Sequence, residues 1–296
     1  MYDVKTLYKA ASVQDALSHL QDQPEALVVN GGTDVMIRLR ERKLKEASLI
    51  SIMGIDGLKG IALGENDDII IGAGACFNDI CKSDIIGKRV PALVRACNQV
   101  GSPQIRYVAT IGGNICNGAV SADSVPALLV YEARLILESL AGIRAVPLES
   151  FHMGPGKVAF DRQREILTTI VIPAEAYKGY SADYIKFGQR NAMEIATLSC
   201  AASLCLSPDK AHVGNIRLAF GVAAEKPLRC YKTEAALAGR LPDADFFALL
   251  RKTALSELNP RESWRASKEL RVQLIKTLAT RAVENAYRTA GGRYDA

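Results

Sequence analysis

The chain has 296 residues, 49% of them hydrophobic and 23% charged, which suits two or three packed units with ordinary globular cores. Its formal charge of +5 is mild, and its densest basic run, Arg38 to Lys45, is diluted by Glu41 and bounded by Glu46, so no nucleic-acid partner is expected. No segment has the character of a membrane span or a signal-peptide core. The seven cysteines, odd in number and without a C-x-x-C pair, read as free thiols of a reducing, cytoplasmic setting.

In chain order, Ser12-Val13-Gln14-Asp15 forms a capping box, and Val13, Ala16, Leu17 and Leu20 give the following helix its apolar face. Pro24 stops it. Residues 26–29 read as a buried strand, running directly into Asn30-Gly31-Gly32-Thr33-Asp34, and residues 48–52 as a second strand. After the polar turn at 64–68 come a strand over 69–74 and a helix over 91–100, with Pro91 at its start and Gly101 at its end. A glycine-rich segment at 110–119 follows. Strands are expected at 135–138 and 145–148 around the turn Ala141-Gly142, and at 165–172 up to Pro173. Beyond a linker at 177–180 come three strands, 182–187, 195–206 and 213–223, and then helices. The last helix is the clearest, with Ser267 as N-cap, Leu270, Leu274, Leu278 and Ala282 at four-residue spacing, and Gly291-Gly292 as the stop.

Two glycine-rich segments carry the chemistry. In Val29 to Asp34, paired glycines let the backbone turn through positive φ, and successive N–H groups of such a turn make an anion-binding nest to which a Thr hydroxyl adds a donor. Taken alone, this loop is explained more simply as a strand-to-helix turn. The second segment, Thr110 to Ser124, holds three glycines, two asparagines, a threonine, two serines and Asp123 beside an apolar stretch. A structural turn does not need so many small donors and acceptors. A ribose–pyrophosphate does, and its sugar hydroxyls call for a carboxylate such as Asp123. Neither segment spells a Rossmann or P-loop motif, and there is no G-x-S-x-G. His19, His152 and His212 are isolated, so neither a hydrolase nor a metal centre is expected. The residues alone lead to two anion cradles for a dinucleotide.

The two segments, in this order and about eighty residues apart, resemble those of the FAD-binding subunits of the xanthine dehydrogenase and carbon monoxide dehydrogenase family, the molybdenum hydroxylases. The run 104–110, the run Phe151 to Lys157, the run Arg217 to Ala224 and the run Ser263 to Glu269 add to the likeness, which spans the whole chain. It implies an α+β fold: a two-subdomain FAD-binding domain of the PCMH type (1–56 and 57–176), then a C-terminal α+β domain (177–296) with a three-stranded sheet and helices. It implies that Leu27, Val28, Val29, Asn30, Gly31, Gly32, Thr33, Asp34 and Val35 wrap the FAD pyrophosphate. Val108, Ala109, Thr110, Gly113, Asn114 and Asp123 would line the adenosine and pyrophosphate, and Leu167 and Lys186 would lie close to the flavin. Cys116, the one thiol in the second segment, is included among the binding positions, although non-covalent attachment is expected.

The resemblance also implies an oxidoreductase subunit without catalytic side chains or metal ligands of its own. Electrons would come from a molybdopterin-binding large subunit through [2Fe–2S] clusters on a small subunit, and FAD would pass them to NAD, with xanthine the expected substrate of the complex. A nicotinate, carbon monoxide or aromatic-CoA hydroxylase is the alternative within the family, and a non-catalytic flavin-binding or assembly protein is the alternative outside enzymes. The loop Gln189 to Glu194 would lie near the isoalloxazine and govern NAD access, although some relatives are acidic where Met193 stands. Arg190 reads equally as half of a surface salt bridge, and Trp264, the only tryptophan, as a residue buried in a domain or subunit contact.

Overall fold

The computed structural model describes residues 2–292. The first unit comprises β1 (Val4–Lys9), α1 (Val13–Asp22), β2 (Leu27–Val29), α2 (Val35–Arg40) and β3 (Ala47–Ser51), with the strands in a parallel sheet of order β1-β3-β2. Helix α1 starts where the capping pattern predicts: the Ser12 hydroxyl accepts from the Asp15 N–H, and Ala16, Leu17 and Leu20 are buried. The Asp15 carboxylate accepts from the Ala11 N–H, one residue upstream of the N-cap. Strand β1 was not anticipated. Five of its six residues are exposed, so it lacks the alternation that marks a half-buried strand, and its place comes from pairing along β3.

The second unit begins after a 3₁₀ turn at Asp56–Leu58 and is built on an antiparallel five-stranded sheet. Strands β4 (Ile61–Leu63) and β5 (Ile69–Gly72) lead into six helices: α3 (Phe77–Lys82), α4 (Asp84–Arg89), α5 (Pro91–Asn98), α6 (Pro103–Arg106), α7 (Ile111–Cys116) and α8 (Ser124–Val130). The chain returns through β6 (Arg134–Ser139), β7 (Gly142–Pro147), α9 (Leu148–Phe151), the small hairpin β8 (His152–Gly154) and β9 (Lys157–Val158), and β10 (Ile166–Ile172). The sheet order is β4-β5-β10-β6-β7, with β10 central, which accounts for its nearly continuous run of buried residues.

The glycine-rich segment is not an open loop of fifteen residues: Ile111–Cys116 of it are helical, and its last residue, Ser124, starts α8. Thr110 caps α7 by accepting the Gly113 N–H at 3.2 Å. Adjacent glycines hide a helical signal, and here tertiary packing supplies what propensity withholds. Ile111 and Ile115, four apart, are fully buried, and Gly112 lies so close to β5 that a Cβ on it would stand 2.6 Å from the Ala73 carbonyl oxygen.

After the short connecting helix α10 (Ala174–Tyr177), the third unit comprises β11 (Ser181–Phe187), β12 (Leu198–Leu206), β13 (Val213–Gly221), β14 (Leu228–Arg229), α11 (Tyr231–Leu237), α12 (Ala244–Glu257) and α13 (Lys268–Thr289). Its antiparallel sheet has four strands rather than three, because the two residues of β14 pair with Phe220 and Ala219 of β13. Two residues are too short to leave a periodic signal. Strand β12 is buried over its first seven residues, Ser199 and Ser203 included, because both of its faces are covered. Leu198, Cys200, Ala202 and Leu204 pack into a core shared with α12 and α13, while Ala201 joins the core of the second unit, along with Ala182, Tyr184 and Ala219. On α13 the expected face is buried at Leu274, Leu278 and Ala282 and widened by Ile275, Ala279, Val283 and Ala286; Leu270, in the first turn, stays 43% exposed. No helix of the described residues is long and apolar enough to cross a membrane.

Candidate functional site

The first loop crosses from β2 to α2, and it is pressed onto the second glycine-rich segment. Gly31 leaves no room for a side chain: a Cβ there would be 1.8 Å from the Val108 carbonyl oxygen and 3.1 Å from the Cα of Ala109. Asn30 lies against Gly74, and Gly32 turns through φ +69°. The structure therefore brings the first loop, through Gly31, against Val108 and Ala109 of the second. Among the described residues, no acceptor takes the backbone N–H of Gly31, Gly32, Thr33 or Asp34. Four consecutive unpaired donors in a tight turn are the donor set that phosphate oxygens require, so this part of the site fits a pyrophosphate.

The start of the second segment is arranged differently. The Ile111 and Gly112 N–H groups donate to the carbonyls of Ala75 and Ala73 at 3.0 and 2.9 Å, Gly113 donates to Thr110 Oγ1, and Asn114 to the Thr110 carbonyl. The amides that the sequence suggested as a cradle are engaged in holding α7 against β5. What they leave open is a surface. Gly113 is exposed, and a Cβ on it would meet only Thr110 Oγ1, at 3.0 Å. The two ends of the segment are tied by the Ser124 hydroxyl donating to Asn114 Oδ1 at 2.7 Å.

Asp123 is buried. One carboxylate oxygen accepts from the Lys186 ammonium at 2.7 Å and the other from the Tyr184 hydroxyl at 3.0 Å. Burial pushes its pKa up, against the opposing pull of Lys186. Lys186 donates also to the Gln99 carbonyl at 3.0 Å, and its side chain is 6% exposed. The pair thus joins β11 to the second unit, a geometry that sequence spacing could not reveal. Arg95 does the same beside it, pairing with Asp183 at 2.7 Å and donating to the Ala182 carbonyl. Leu167 is 4% exposed in the core of the second unit, on β10. The Cys116 thiol is pushed up to about 12 by burial, so it is a poor nucleophile at neutral pH. His152, missed as a structural residue, is buried and held neutral by that burial, with Nε2 3.0 Å from the Ile115 carbonyl at the end of α7.

The loop at 189–194 closes on itself. Arg190 pairs with Glu194 at 2.7 Å and donates to the Met193 carbonyl, Met193 takes φ +53°, and Gln189 donates to the Arg265 carbonyl at 3.2 Å. Trp264, expected in a buried contact, is 80% exposed in this chain and carries the Arg265 guanidinium over its ring at 4.3 Å. A group that sequence reading passed over lies nearby: Arg261, Arg265 and Arg271 line one pocket with Ala119, Val120 and Ser121. Three arginines within eleven residues were the available signal.

The chain belongs to the family of FAD-binding domains of molybdopterin dehydrogenases: that family's model matches residues 2–175, and the carbon monoxide dehydrogenase flavoprotein C-terminal domain matches residues 183–286. Its fold is accordingly the two-domain FAD-binding fold of PCMH type, in an oxidoreductase family. Among curated proteins the chain is 38% identical over 293 residues to the xanthine dehydrogenase FAD-binding subunit of Escherichia coli O157:H7, covering 99% of both. It is 29% identical to the glyceraldehyde dehydrogenase medium chain of Sulfolobus acidocaldarius, over 95% of this chain and 98% of that one. Among solved structures it superposes on a chain of the carbon monoxide dehydrogenase of Hydrogenophaga pseudoflava with a TM-score of 0.92 and 27% identity, covering 97% and 99% of the two chains.

Proposed function

We propose that this chain is the FAD-carrying electron outlet of a xanthine dehydrogenase and delivers electrons to NAD. The observation that carries the reading is 38% identity across 99% of both chains to a xanthine dehydrogenase FAD-binding subunit. The cradle of unpaired amides at Gly31 to Asp34 supports it from the side of the structure. On this reading units 1–56 and 57–176 grip the dinucleotide between them and 177–296 covers the ring. Bound FAD would supply the exchange of one electron at a time on one side and of hydride on the other; the side chains bind, orient and electrostatically tune it.

The first loop would hold the pyrophosphate through its amides, with Thr33 adding a hydroxyl. Val108, Ala109, Thr110, Gly113 and Asn114 would form the opposite wall, at the exposed start of α7. Lys186 and Asp123 form a neutral, buried pair, and the positive end of that pair would favour negative charge on the reduced ring if Lys186 turns from Asp123 toward it. A molybdopterin-binding large subunit and a [2Fe–2S] small subunit complete the complex. The likeness to a carbon monoxide dehydrogenase structure favours a second reading, in which the same subunit serves another hydroxylase of the family with a different acceptor.

Assay of the native complex decides between them. Xanthine-dependent reduction of NAD is expected, together with NADH–dye reductase activity and no xanthine hydroxylation by the isolated flavin-loaded chain. A complex that oxidises nicotinate or carbon monoxide but not xanthine would establish the second reading.

A further inference from the structure

Two groups of arginines stand out in this molecule: one meets carboxylates, and the other, built around the buried Arg271 with half-buried Arg265 and exposed Arg261, does not among the described residues. Arg217 and Arg229 meet carboxylates: Glu132 lies 3.0 and 2.9 Å from them, and Glu234 lies 2.7 Å from Arg229. Arg261, Arg265 and Arg271 meet none. Among the described residues no carboxylate forms an ion pair with any of the three, although they share a pocket of about 230 Å³. Arg271 is 1% exposed. Its terminal nitrogens donate to the carbonyls of Thr197 and Val222 and to the Ser263 hydroxyl, but its Nε is buried and has no partner among the described residues. The Nε of Arg265 is buried and unpartnered as well. Burial and the charges of Arg261 and Arg265 depress the affinity of Arg271 for its proton.

Burying unpaired guanidinium N–H groups is costly, and a natural protein keeps such an arrangement where something satisfies it. The rest of the wall supplies donors of the same kind. Ala119, Val120 and Ser121 line the pocket, and among the described residues their N–H groups have no acceptor. An acceptor-only group with several oxygens matches this wall, and guanidinium forks match phosphate in particular. The volume admits a phosphate or pyrophosphate. The loop 189–194 runs into the pocket through Ile195 and Ala196, and Gln189 is bonded to Arg265.

We propose that this arginine pocket binds a phosphate of the soluble dinucleotide that takes electrons from the flavin, separately from the Gly31 to Asp34 cradle that serves the flavin's own pyrophosphate. The proposal rests on the NAD reading above and specifies where on this chain the acceptor is held. Arg261 is the residue to change, because it is exposed.

Inorganic pyrophosphate is titrated calorimetrically into the native flavin-loaded complex, wild type and Arg261→Ala, and flavin content and the KM for NAD are measured on both. The expected result is pyrophosphate binding by the wild type, weakened at least about tenfold in the variant as befits loss of one charge-assisted contact, with a parallel rise in KM and full flavin content. Arg265→Lys, which keeps the charge but loses the fork, should fall between the two. Absence of wild-type binding, equal binding by both proteins, an unchanged KM, or loss of FAD from Arg261→Ala would each overturn the proposal. A wild-type complex that reduces a dye but not NAD would sink the acceptor reading instead, leaving the pocket's phosphate chemistry to be decided by the titration.

Discussion

The two glycine-rich segments look alike in sequence and do opposite things with their backbone. Among the described residues, Gly31 to Asp34 leave four amides without an acceptor, whereas Ile111 to Asn114 spend all four of theirs on Ala73, Ala75 and Thr110. In the first segment a glycine is needed because the Val108 backbone lies where a side chain would begin; in the second, Gly112 is needed because Ala73 does. Glycine therefore serves close approach in both, and only the hydrogen-bond inventory distinguishes the segment that is free to bind an anion from the one that props up its wall.

The largest expected effect tests the support behind that wall. Lys186→Met strands the buried Asp123 carboxylate, and loss of one partner of a buried pair costs about 3–5 kcal/mol. Denaturant titration should register it. A loss below about 1 kcal/mol would show that the pair is solvated like a surface one.

Gly31→Ala comes next. The added carbon stands 1.8 Å from a backbone oxygen, so the two segments must part, at about 1–3 kcal/mol for overpacking, and the chain should purify without flavin. Gly113→Val sharpens the contrast. Its Cβ meets only Thr110 Oγ1, so stability should change by no more than about 1 kcal/mol while flavin is lost from the obstructed surface. If Gly31→Ala kept its flavin and Gly113→Val unfolded, the roles assigned to the two segments would be reversed.

A smaller effect follows from His152, which braces the end of α7. Burial lowers its pKa below the ordinary 6.5, so the folded protein resists a proton that the unfolded chain accepts. Stability is then full above about pH 6.5 and falls as the pH drops from there toward the lowered folded value, by no more than about 1.4 kcal/mol per pH unit. His152→Gln should flatten that slope; an unchanged slope would assign it to other groups. The smallest effect belongs to the loop at 189–194. Arg190→Ala removes the exposed partner of the half-buried Glu194 and should cost at most about 1 kcal/mol, whereas Met193→Asp should lower the flavin midpoint potential in a redox titration. An unchanged potential would make this loop structural only.

Much of this was legible in the sequence. The Ser12 cap, the Pro91 start, the apolar faces of α1 and α13 and the two glycine segments are local signals, and local signals survive in one dimension. What escaped depends on partners distant in the chain. Strand β1 is exposed and held only by its neighbour, α7 is helical because Ile111 and Ile115 have a core to enter, and β14 is two residues of pairing. Asp123 and Lys186 were each singled out as ligand contacts, yet nothing in their spacing told that they face one another. The arginine pocket was missed for the same reason: Arg261 to Arg271 meet Ala119 to Ser121 only through the fold.

The central claim is that the unpaired amides of Gly31 to Asp34 hold the FAD pyrophosphate. A crystal structure of the flavin-loaded complex tests it most directly. Phosphate oxygens of FAD within about 3 Å of those N–H groups are predicted. FAD phosphates seated instead among Arg261, Arg265 and Arg271, with the Gly31 loop facing solvent, would contradict it.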